Sequence, residues 1–173
     1  AGLPAGAVIN ALGADGTNLS SVDNNAGQLL SITTAGAVST VGAAGSVSGS
    51  VLGLANTAGS GLLFTHHDSD DGLREVETSG GPIVNLITAT AYRDLSAMTI
   101  AFGQAYSFSN SLKRLVRIDP TSAKATVMPS DLSTDFATQR VTGLAFDSGT
   151  QRIYAIDDGQ RFTILRRTDG GID

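Results

Sequence analysis

Apolar residues in this chain fall in short runs of strand length, separated by turn-forming residues, and the runs repeat. Residues 105–108, Ala-Tyr-Ser-Phe, alternate with the period of two that a half-buried strand requires. No long stretch carries a helical period, and the best candidate, Thr134–Arg140, is long enough only for a loop or a single turn. Residues 95–128 show the pattern best, predicting strands over Leu95–Ala101, Ala105–Ser109, Arg114–Asp119 and Lys124–Met128. Turn chemistry sits between such runs. Asp119-Pro120-Thr121-Ser122 combines a fixed φ at Pro with side chains that bond local backbone. Asp15-Gly16, Asn24-Asn25, Asp71-Gly72 and Asp158-Gly159 supply residues that tolerate positive φ.

Residues 51–81 and 141–171 share an order of features: Val-x-Gly-Leu-Ala, a Gly-containing turn, an apolar run, an Asp-Asp-Gly turn, a further strand and a closing Gly-Gly. Their offset is 90 residues. The second-strand anchors Leu19, Leu63, Ala105 and Ile153 follow at intervals of 44, 42 and 48, and the third-strand anchors Ile32, Val76 and Ile118 at 44 and 42. A period near 45 with four short strands per unit predicts an all-β fold, a β-propeller of about four blades of four-stranded antiparallel sheets. The repeats are expected at about 8–50, 51–94, 95–140 and 141–173, forming one propeller segment over 1–173. Small residues in the first strands (Gly53, Ala55, Ala97, Gly143, Ala145) fit crowding near a central axis. After Gly170-Gly171 too little sequence follows for an outermost strand, so the last blade is expected to be incomplete and the propeller partial or open. Three completions are open: the chain is a piece of a longer ring, it pairs with itself or another chain, or it closes alone irregularly.

Leu115-Val-Arg-Ile-Asp-Pro-Thr-Ser with Thr126-Val127, and Val141-Thr-Gly-Leu-Ala-Phe-Asp with Ile153-Tyr-Ala-Ile-Asp, resemble the repeats of bacterial secreted β-propellers. Those read roughly L-x-x-I-D-P-x-T-G, T-x-V, GLAFD and LYA, akin to the YVTN, NHL and WD40-like groups. The Trp-Asp pairs of WD40 repeats are absent, since the chain has no Trp. The resemblance implies a fold and leaves function open, because such folds carry both binding and catalysis.

Composition narrows the partners. A formal charge of −5 lacks the positive field that gathers phosphate backbones, so nucleic acid is not expected. No apolar run is long enough to span a membrane as a helix. Without cysteine, disulfides and thiolate chemistry are excluded. The small, uncharged opening Ala-Gly-Leu-Pro-Ala-Gly resembles an end left by signal-peptide removal, and the protein is expected to be secreted, extracellular or periplasmic.

The densest polar cluster is His66-His67-Asp68-Ser69-Asp70-Asp71-Gly72. Asp68, Asp70 and Asp71 could offer calcium several oxygens, although the spacing departs from the known twelve-residue loop and lacks its Glu. A solvated turn like Asp157-Asp158-Gly159 is the competing reading. No other cofactor is expected. Gly45-Ser46-Val47-Ser48-Gly49 lacks a nucleophile elbow and reads as a flexible loop between repeats. Lys113-Arg114 with Arg117, and Arg161 with Arg166-Arg167, form modest basic patches, read as solvated strand faces or docking points. With no catalytic set, the chain is expected to be a non-catalytic extracellular binding, scaffold or surface-assembly protein. Its partner would be another protein or a second copy completing the propeller. The alternative is part of a propeller enzyme, a lyase, hydrolase or quinoprotein-like oxidoreductase with its active site at the channel mouth.

Overall fold

A computed structural model describes residues 2–14, 17–47, 50–56, 62–67, 73–79, 83–87, 94–119, 122 and 124–173. Every regular element among them is a strand, and the strands form four separate antiparallel sheets in chain order. Sheet one holds β1 (Ile9–Ala14), β2 (Asn18–Asp23), β3 (Gln28–Thr33) and β4 (Val38–Val41). Sheet two holds β5 (Val51–Asn56), β6 (Leu62–His67), β7 (Leu73–Glu77) and β8 (Ile83–Ile87). Sheet three holds β9 (Leu95–Ala101), β10 (Gln104–Ser109), β11 (Arg114–Asp119) and β12 (Lys124–Val127). Sheet four holds β13 (Val141–Asp147), β14 (Arg152–Asp157) and β15 (Phe162–Arg166). The predicted strands of the third repeat match to within a residue. Beyond β15 the chain turns back, and Ile172 bridges Leu165 in the antiparallel sense.

The chain divides into two compact units, Ala1–Thr88 with sheets one and two, and Ala89–Asp173 with sheets three and four. In the first, β5 packs along β1, and Val22 and Leu29 of sheet one meet Val51, Leu54 and Val76 of sheet two. Gly13 faces Leu54 so closely that a Cβ there would lie 2.5 Å from Leu54 Cδ2. In the second, β13 packs along β9, and Tyr106, Phe108 and Leu115 meet Val141, Ile153 and Leu165. Phe108 and Leu115 are fully buried, and each such side chain contributes about 1.5–3 kcal/mol.

Each first strand carries one extra residue near its start. Ladder steps slip between Ile9 and Leu12, between Val51 and Gly53, opposite Ser107 and Phe108, and between Val141 and Gly143. At Ala97 and Gly143 a small residue also answers a local constraint. Ala97 takes a φ of 50°, and a Cβ on Gly143 would lie 2.7 Å from Ile156 Cγ2. Buried serines brace the irregular backbone: Ser21 Oγ donates to Ala11 C=O at 2.7 Å, and Ser107 Oγ to Ala97 C=O at 2.9 Å.

Two of the turn and loop expectations need amendment. Positive φ in the β2–β3, β10–β11 and β14–β15 turns falls on Gly27, Lys113 and Gln160, not on Asn24-Asn25 or Asp158-Gly159. Asp15-Gly16 and Asp71-Gly72 lie outside the described residues. Val47 is not part of a loose loop, because its N–H donates to Gly27 C=O at 2.9 Å and its side chain is buried in the first unit's core. A single turn forms over 132–136, overlapping the start of the expected 134–140, with Phe136 N–H bonding Leu132 C=O, and Phe136 enters the second unit's core edge-on to Phe108.

Candidate functional site

Asp68, Asp70 and Asp71 lie outside the described residues, as does the rest of the turn beginning after β6 at His67. Among the described residues no three acidic or imidazole groups are grouped to hold a metal ion.

The turn between the second and third strands is instead where sheets are joined. Asn24, just past β2, accepts Val51 N–H at 2.8 Å and donates to Val51 C=O at 3.2 Å. Asn110, just past β10, does the same to Val141, at 2.9 and 3.4 Å. A primary amide is the one side chain that can present a donor and an acceptor side by side to a single backbone residue. Thus each clamp satisfies both backbone groups of the residue that opens the next sheet. Ser96 Oγ adds a third bond to Val141 C=O, at 2.5 Å. The same turn secures its own sheet: Asn24, Asn110 and Asp158 donate their N–H groups to Val8, Asp94 and Arg140. Asp23, with Val8 N–H and Asn25 N–H on its carboxylate, is held below the usual carboxylate range, Val8 outweighing the opposing cost of burial.

The basic patches are mostly tied into the structure. Arg161 bonds Asp157 through backbone and side chain, reaches Asp135 C=O and lies 4.8 Å over the Phe136 ring. Lys113 Nζ donates to Gln139 C=O at 2.7 Å. Register places Arg152 directly opposite Arg166, a like-charge pair that costs stability unless neutralised. Asp173 meets Arg152 at 2.5 Å, and Asp169 receives two bonds from Arg166. That pair holds Asp169 below, and Arg166 above, their ordinary pKa values. Arg152, Arg166 and Asp173, with Arg167, Thr150 and Thr168, line a shallow cavity of about 210 Å³. Three guanidinium groups and two hydroxyls suit a carboxylate or similar anion, and Asp173 supplies one from the chain itself. Arg152 was no part of the basic patches read from sequence; pairing β14 with β15 about Asp158-Gly159 is the signal that brings it to Arg166.

The other candidate is apolar. On the face of sheet four turned from its core stand Tyr154, Ile156, Phe162 and Ile164, with Tyr154 and Phe162 stacked at 5.3 Å. Ile156 is 44% and Phe162 64% exposed. In sheet one, Leu12 is 56% exposed.

No family model matches the chain, and no curated protein matches it in sequence. Solved structures do match in fold. Glutaminyl cyclase of Myxococcus xanthus aligns with a TM-score of 0.71 at 17% identity, covering 93% of this chain and 75% of the cyclase. A chain of a nidogen/laminin complex aligns at 0.65 and 12%, covering 95% and 66%. Virginiamycin B lyase of Staphylococcus aureus aligns at 0.65 and 14%, covering 92% and 52%. All three are propeller-type folds, so the class of this chain is all-β and propeller-like. It spans three quarters of the cyclase chain and about half to two thirds of the other two.

Proposed function

We propose that this chain is a non-catalytic extracellular or periplasmic binding and surface-assembly module, its four sheets serving as successive blades of one β-propeller of the YVTN, NHL and WD40-like kind. The exposed aromatic face of sheet four carries the reading. Soluble proteins rarely leave a contiguous stacked Tyr-Phe pair and neighbouring Ile side chains in water unless a protein partner covers them. The fold neighbours include two enzymes and a protein of a binding complex, and at these identities they support the fold alone.

The test is a photo-crosslinking amino acid at position 162, with exposed Thr134 as the control position, in the organism that makes the protein. An adduct with another polypeptide at 162 and none at 134 is the expected result. Absence of any adduct at 162 overturns the reading.

A further inference from the structure

We infer that Phe102 and Arg167 form a binding site for a small organic carboxylate, with the acid group on the guanidinium and the apolar part on the exposed ring. The site is separate from the sheet-four face used above and does not depend on it.

Phe102 sits where its backbone is costly. Ala101 pairs with Gln104, so β9 and β10 are joined by Phe102-Gly103 alone, at φ of 51° and 73°. A two-residue hairpin with both φ positive favours Asn-Gly or Asp-Gly, and a bulky residue in that region is an outlier. Between the first and second strands of the other repeats stand Asp15-Gly16, Thr57-Ala-Gly-Ser-Gly61 and Ser148-Gly149. Among the described residues Asp94, Ala97, Lys113, Gln151 and Gln160 also take positive φ without being glycine, and none of them is aromatic. Such conformations persist where function uses them or packing compensates for them. Core packing does not account for Phe102, which is 60% exposed.

The ring is nevertheless held in place. Phe146 of β13 meets it edge-on, with centroids 5.4 Å apart at 66°. Arg167, just past β15, places its Cζ 4.8 Å from the ring centroid. Sheets three and four thus fix the ring from two directions while most of it stays in water. It protrudes where strands turn, not from a sheet face.

Charge defines the other half of the site. Among the described residues no carboxylate or other acceptor bonds the Arg167 guanidinium, and its Nε is buried without a partner. The nearby acids are committed elsewhere. Asp147, next to Phe146, accepts Gly149 N–H at 2.9 Å and Thr150 Oγ at 2.7 Å, and Asp169 accepts two bonds from Arg166. A guanidinium presents parallel N–H donors that match a carboxylate. One unpaired cation beside one open aromatic ring therefore calls for a single negative charge joined to an apolar group, preferably a ring that can pair with Phe102.

Titration of the ¹⁵N-labelled chain with 3-phenylpropionate, followed through its amide shifts, tests the assignment. Saturable shifts centred on Phe102, Gly103 and Arg167 are expected. Acetate and 3-phenylpropanol each carry half of the probe and should bind roughly tenfold more weakly. Arg167→Gln should reduce affinity for the acid to that for the alcohol and remove its salt dependence. Phe102→Asn should reduce it to that for acetate. Because Asn suits this turn, the same variant should keep or raise the urea midpoint, a combination that a packing role for the ring would not give. No saturable shift with 3-phenylpropionate overturns the inference, as does inorganic phosphate binding as tightly as the acid. It is equally overturned if Phe102→Asn binds the acid as well as the wild type, or if its urea midpoint falls clearly below the wild type's.

Discussion

At the scale of single residues, the joints between sheets rest on two asparagines. Asn110→Ala would leave Val141 N–H without its 2.9 Å partner in a fully buried setting. Its loss should cost about 1–3 kcal/mol, read as a lower urea midpoint at unchanged slope. Asn110→Asp keeps the acceptor but buries a carboxylate against Val141 C=O, so it should cost at least as much. Asp23 gives a pH signature. Its folded pKa is depressed by Val8 and Asn25 N–H groups, so its contribution is fully present above the unfolded carboxylate value and is lost as pH falls through the folded one. Asp23→Asn retains an acceptor without titrating. It should flatten that part of the acid limb in urea midpoints measured from pH 6 to pH 2. Neither asparagine's role was legible in the sequence. Asn24-Asn25 reads as turn chemistry, and nothing local reveals that one amide reaches 27 residues ahead to Val51.

At the scale of elements, the strands were legible because each is short, alternating and bounded by turn residues. Tyr106 and Phe108 against Ala105 and Ser107 define β10 from sequence alone. Phe136 was not legible. It sits in a connection with no period, and its burial depends on Phe108 and Arg161, which approach from other strands. Phe136→Ala should cost about 3–5 kcal/mol, against a small effect for neighbouring exposed Thr134→Ala, by chemical denaturation. Gly27 closes the β2–β3 turn at a φ of 58°, and a Cβ there would lie 2.6 Å from Val47 C=O. Backbone conformation alone makes Gly27→Ala cost roughly 1–2 kcal/mol, and the contact adds to it. Thermal unfolding of that variant should start lower, and the Gly27–Val47 hydrogen bond should weaken with it. The first-strand irregularities were visible only as a run of small residues, because a slipped rung is a property of two strands.

At the scale of the whole molecule, the period near 45 residues foretold four sheets in chain order, and the fold neighbours are propeller-type. The candidate sites were less legible, since both need strand pairing: Arg152 beside Arg166, and Phe162 beside Ile156. The exposed face has a direct signature. Native protein at low concentration should bind an apolar fluorescent dye, and Phe162→Glu should remove most of that signal without changing far-UV circular dichroism. The amide clamps bear on dynamics. Val51 and Val141 begin their strands, where backbone N–H groups usually fray and trade protons with water early. Held by Asn24 and Asn110 and shielded from solvent, their deuterium uptake should instead be as slow as that of mid-strand amides. Strand openings would then count among the last places in each unit to admit solvent.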